Sequence, residues 1–142
     1  MTDETGRLEN FRVPTPIKLA LLWASLMSLY IYNDYFSMYV PGTIKMMSQG
    51  RMGPLGPAIP MVMVAVALLL AVPAVMIFLS AALPPVWSKW SNVVLGAAYT
   101  IVEVLTFTGP QLFYKIVVAI EIAVTVLVVL YALRWPKHGP SP

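Results

Sequence analysis

The chain has 142 residues, of which 59% are hydrophobic and only 11% charged, with a mean hydropathy of +0.80. Soluble domains run nearer ~45–50% apolar and about 25% charged, so this is not the composition of a water-soluble globule. The nine Lys and Arg behind the net charge of +3 are scattered and mostly flank apolar runs, where bases set topology and meet anionic head groups rather than nucleic acid.

The length accommodates four membrane helices of about 20 residues each, with tails and one longer loop. That predicts a single all-α membrane domain over 1–142, a polytopic bundle of four transmembrane helices in up-down order. With no cysteine in the chain, disulfides and thiol chemistry are excluded, and redox gives no information on the compartment.

Residues 1–16 are polar, carry both signs and contain Pro14 and Pro16, which oppose a continuous helix. They read as a tail, disordered or lying on the surface. A secretory signal peptide is not expected, because the first apolar run begins late, is long and lacks a small-residue cleavage site.

The first span, about 18–40, starts at Lys18 and is ended by Pro41-Gly42. It carries Asp34 among Tyr30, Tyr32, Tyr35 and Tyr39. A charge near the centre of a span costs roughly 2.5–3.5 kcal/mol even on lenient insertion scales. At helical spacing Trp23, Met27, Tyr30, Asp34 and Ser37 share a face, and by phase Asn33 points elsewhere.

The longest connection follows, over 43–57. Ile44, Met46 and Met47 beside Lys45 and Arg51 fit one amphipathic turn in the interface. Gly50, Gly53, Pro54, Gly56 and Pro57 break regular structure after it.

The second span, about 58–83, is the most uniformly apolar, and Pro73 near its middle predicts a kink. Pro84-Pro85 stops it. The segment VWSKWSN then reads as a turn, with Trp87 and Trp90 around Lys89 as an interface signature. The third span, about 91–108, holds Glu103 with Tyr99 and Phe107 on its face, and closes at Gly109-Pro110. The fourth, about 113–134, holds Glu121 with Thr125 on its face. The C-terminal tail covers 136–142.

Orientation follows from the bases. Arg7, Arg12, Lys18, Lys89, Arg134 and Lys137 fall on one side, and Lys45, Arg51 and Lys115 on the other. The positive-inside bias places both termini in the cytoplasm.

Counting at about 1.5 Å per helical residue brings Asp34, Glu103 and Glu121 to one layer, roughly 9–12 Å below the outer helix ends. Tyr30, Tyr99 and Thr125 lie within helical reach of them, and Lys115 is the only cation near that depth. Three carboxylates without a buried cation cannot all stay ionised cheaply, so at least one is expected to hold a proton at neutral pH. This is the starting state for a proton relay or a cation site.

Four readings of the layer stay open: neutral acids that only pin the helices through hydrogen bonds, a proton- or cation-binding site, a pocket for an amphiphilic small molecule, and one or more acids exposed to the lumen or interface because the span bounds differ. No catalytic constellation or phosphate-cradling glycine motif occurs, and the only histidine, His138, is in the tail. No cofactor or metal ligand set is expected, beyond a conceivable carboxylate-only site for a hard cation.

The LLW…Y.YND…YVPG of span one, with Pro73…MIFLSAALP and the W.N of Trp90 and Asn92, resembles an uncharacterised group of small bacterial four-span membrane proteins. The similarity covers about residues 17–135. It implies an inner-membrane, four-helix protein and supplies no activity. Four-span DoxX-like and sterol-isomerase-like families also place acids within a bundle, but this chain has no histidine in a span for an isomerase mechanism.

The leading functional expectation is a small transport- or channel-like protein linked to protons or cations, lying in the bilayer as a homo-oligomer. The alternatives are a non-catalytic accessory subunit of a larger membrane complex and a protein that binds or converts an amphiphilic small molecule. A non-enzymatic role is favoured.

Overall fold

The computed structural model describes residues 12–136. The expectations for the outer tails, with Arg7, Lys137 and His138, lie outside the described residues. Five α-helices follow one another: α1 (Thr15–Ser37), α2 (Thr43–Ser48), α3 (Pro60–Ala82), α4 (Pro85–Thr106) and α5 (Leu112–Leu133). A single 3-10 turn, Gly53–Leu55, lies between α2 and α3.

Prolines set most of the helix starts. Pro16, Pro60 and Pro85 stand in the first turns of α1, α3 and α4, where a missing N–H loses no intrahelical bond. The two prolines of the N-terminal segment thus start α1 at Thr15 rather than blocking it. Likewise Leu83-Pro84 is the whole break between α3 and α4, so VWSKWSN forms the first two turns of α4 and not a turn between helices. Lys89 lies over the Trp90 ring, 5.7 Å from its centroid.

α1 packs against α3 and α5, α5 packs against α4, and a narrower seam joins α3 to α4. α1 and α4 face each other across the centre through long side chains: the Trp23 and Tyr99 rings meet edge-on at 5.8 Å. Lys18 at the start of α1 lies over Tyr131 near the end of α5, so these two helices run in opposite directions.

α1, α3 and α5 are long and apolar enough to cross a membrane. α4 is as long, but its inward stripe is Ser88, Asn92, Gly96, Tyr99 and Glu103, without one aliphatic side chain.

The outer surface is apolar. Phe78 and Leu105 are each 71% exposed, in the company of many Leu, Ile, Val and Met. The interior mixes Leu19, Trp23, Leu26, Met76, Val118 and Val128 with Ser80, Ser88, Asn92, Glu103, Glu121 and Thr125. In water this arrangement would leave its largest apolar area unburied. In lipid it is favourable, because burying aliphatic carbon inside the bundle then gains little and interhelical polar bonds select the faces.

At one end of the bundle four buried polar residues satisfy one another. The Trp23 Nε1–H donates to Asn92 Oδ1 (2.7 Å), as does the Ser80 hydroxyl (3.1 Å). The Ser88 hydroxyl donates to the Ser80 carbonyl at 2.7 Å. That carbonyl lacks its helical partner because position 84 is proline, which has no N–H.

The same logic governs mid-α3. Pro73 cannot donate to the carbonyl of Leu69, four residues earlier, and the Tyr99 hydroxyl donates to that oxygen instead. Close approach of α4 and α5 needs Gly96, where an added Cβ would lie 2.9 Å from Val129 Cγ2 and 3.1 Å from Val128 Cγ1.

Candidate functional site

α1 aims its inward positions by a stripe of Leu19, Trp23, Leu26 and Asn33. This corrects the sequence phase at two points: Leu26 is buried where the spacing places Met27 inward, and Asn33 where it places Asp34. Asn33 is buried at 8% exposure, and Asp34 is exposed. The 3–4 spacing allows either residue to follow Tyr30, and the packing of α1 against α5 selects Asn33.

Beyond the Trp23–Tyr99 contact, toward the C-terminal ends of α1 and α4, lies a cavity of about 210 Å³. Asn33, Glu103 and Glu121 form its polar wall, with the Tyr30, Tyr99 and Tyr114 rings beside them. Leu69 and Leu70 of α3, with Val102 of α4, are the apolar wall. Asp34 and Thr106, both exposed, stand at the rim.

All three sequence-predicted acids therefore line one cavity, in unequal settings. Glu103 is 4% exposed and Glu121 is 1% exposed. Their carboxyls are neighbours, with the Asn33 amide close to Glu121. The Tyr30 hydroxyl donates to Glu103 Oε1. Glu121 Oε1 and Asn33 Oδ1 are buried without a hydrogen-bond partner.

Of the predicted companions, Tyr30 and Tyr99 line the cavity. Thr125 does not: it is fully buried one turn away and accepts a hydrogen bond from Thr100 at 2.9 Å, tying α4 to α5. Its own hydroxyl points back to the carbonyls of Glu121 and Ile122, so it never reaches the carboxyl. Lys115 is exposed and is not part of the lining.

Among the described residues no group of three or more acidic or histidine side chains is placed to hold a metal ion. Tyr114 is a wall residue that depth counting missed. Its ring packs on Gly109, where an added Cβ would come within 2.5 Å of Tyr114 Cδ1.

A model described as "Family of unknown function (DUF6326)" matches residues 13–140. The chain belongs to that family. DUF6326 thus spans all four long helices and every residue of the cavity. No curated protein and no solved structure matches the chain.

Proposed function

We propose that this chain is a four-span inner-membrane protein of bacterial type whose cavity binds and exchanges a proton, coupling it to movement of a cation. The carrying observation is the neighbouring pair Glu103 and Glu121, both buried, beside an exposed acid and with no base in the lining. Two such carboxyls in low dielectric repel each other when both are ionised, so the pair holds a proton between them. Asp34 at the rim is the exchange point with the outside.

α4 completes the four spans in this reading. Its polar stripe is turned inward and its outer face, with Val94, Ile101, Val104 and Leu105, is exposed and apolar. The excess of bases beside Lys18, Lys89 and Arg134 supports cytoplasmic termini. A cavity of about 210 Å³ holds a ligand rather than a continuous water column, so a through-path would form between subunits of a homo-oligomer or with a larger complex.

The test is proton movement in proteoliposomes carrying an internal pH dye. The wild-type chain is expected to dissipate an imposed pH gradient when a permeant cation is supplied, and Glu121→Gln and Glu103→Gln to lose this while keeping helical circular dichroism. Equal fluxes in wild type and both variants would reject the reading.

A further inference from the structure

Resting on the proton-binding reading, we propose that the same cavity takes a small organic ammonium ion bearing N–H donors, held by Asn33 and Glu121 in exchange for the proton. The argument starts from what the wall leaves open. The hydroxyls of Tyr30, Tyr99 and Thr106 are already engaged, with Glu103 Oε1, the Leu69 carbonyl and the Glu103 carbonyl respectively.

The two buried polar atoms left without a partner, Asn33 Oδ1 and Glu121 Oε1, are both acceptors, on facing helices. A buried acceptor with no donor is costly, and two in one cavity ask for a ligand that donates twice. An ammonium group does this and also neutralises a carboxylate.

The Tyr30 and Tyr99 hydroxyls are thus taken, while the rings of Tyr30, Tyr99 and Tyr114 line the same cavity. Tyrosine faces attract cations, and the attraction grows when the site is dry. Leu69 and Leu70 provide an apolar seat for the ligand's body. A bare metal cation is disfavoured, since no three carboxyls converge among the described residues. The volume of about 210 Å³ is below the ~300–1,000 Å³ typical of drug-sized pockets, which limits the body to a short alkyl chain or one ring.

Every titratable group facing the site is phenolic or acidic: Tyr30 and Asp34 from α1, Tyr99 and Glu103 from α4, Tyr114 and Glu121 from α5, and none from α3. Protons and ammonium ions therefore compete for the same negative charge. Ammonium chemistry reaches a membrane site from two sources, a soluble amine or the amine headgroup of phosphatidylethanolamine.

The experiment uses the full chain in phosphatidylcholine nanodiscs, titrated with phenethylammonium by calorimetry in two buffers of different ionisation enthalpy. Saturable binding with release of close to one proton is expected. Asn33→Leu should weaken it at least tenfold, Glu121→Gln should abolish it, and tetramethylammonium, which has no N–H, should bind at least tenfold more weakly. Displacement of the probe by phosphatidylethanolamine in the disc assigns the ammonium to a lipid headgroup, and no displacement assigns it to a soluble amine; both support the class.

Tetramethylammonium binding as tightly as the probe overturns the donor argument. If the probe does not bind while pH jumps still show Glu121-dependent proton uptake, this inference fails and the proton reading stands. If Glu121-dependent uptake is missing as well, both fall. Asp34→Asn, at the exposed rim, provides a variant whose folding does not depend on the buried pair; its probe affinity should fall less than that of Asn33→Leu, and a larger fall would move the site to the rim and refute the assignment.

Discussion

Removing the Tyr99 hydroxyl isolates one bond whose reason is fully visible in the sequence and the fold. Pro73 deprives the Leu69 carbonyl of its helical donor, and Tyr99 supplies a replacement from α4. Tyr99→Phe keeps the ring on Trp23 (5.8 Å, edge-on) and deletes only the donor. A buried carbonyl left unpaired costs about 1–3 kcal/mol, whereas interhelical bonds measured in membranes average ~0.6 and reach ~1.7 kcal/mol. The expected loss is therefore about 1–1.5 kcal/mol.

Pro73→Ala returns an N–H to the helix, and in that background the same tyrosine change should cost less than about 0.5 kcal/mol. A double-mutant cycle by reversible denaturation in mixed micelles reads the difference, a coupling of about 1 kcal/mol. Equal costs of Tyr99→Phe with and without Pro73 would refute the reasoning.

Asn92→Ala should destabilise by roughly 2–3 kcal/mol, because it strands the Trp23 N–H and the Ser80 hydroxyl together; the same denaturation assay checks it, and Ser80→Ala should cost less than half as much. Gly96→Ala should cost about 1–3 kcal/mol by overpacking, with Val129→Ala recovering much of it, since Val129 Cγ2 is the nearest atom to the added Cβ. Gly109→Ala should move the Tyr114 ring off the cavity wall, seen as a change in tyrosine fluorescence with little change in helix content. The cysteine-free chain suits single-cysteine labelling: Ser48→Cys and Thr15→Cys should react with a membrane-impermeant maleimide from opposite faces, and labelling of both from one face would reject the proposed topology.

Much of this architecture was legible along the chain. Pro and Gly positions marked several helix boundaries, although Pro16 and Pro85 begin helices where the sequence read a tail and a turn, and Ile44, Met46 and Met47 announced the short α2, none of whose residues is buried. Depth counting brought Asp34, Glu103 and Glu121 to the level of one cavity because the rise per helical residue is nearly constant.

Rotation about each axis is another matter. Period 3.6 leaves 33 and 34 nearly equivalent after Tyr30, and the apolar outer face of α1 gives no counter-signal. The Trp23–Asn92–Ser80 ties were also out of reach, since the first two partners are 69 residues apart and meet only through packing. Ser88 was legible in retrospect: a serine four residues after a proline that robs the Ser80 carbonyl of its donor.

The inward stripe of α4 holds a consequence for how this molecule tolerates change. In the proposed bilayer setting apolar groups lie outside the four long helices as well as between them, so greasiness alone does not tell a helix which way to turn. Orientation is keyed by a few teeth, chiefly Ser88, Asn92, Tyr99 and Glu103. Most lipid-facing positions should accept free exchange among aliphatic residues, while a single swap at a tooth should rotate or unseat a whole rod.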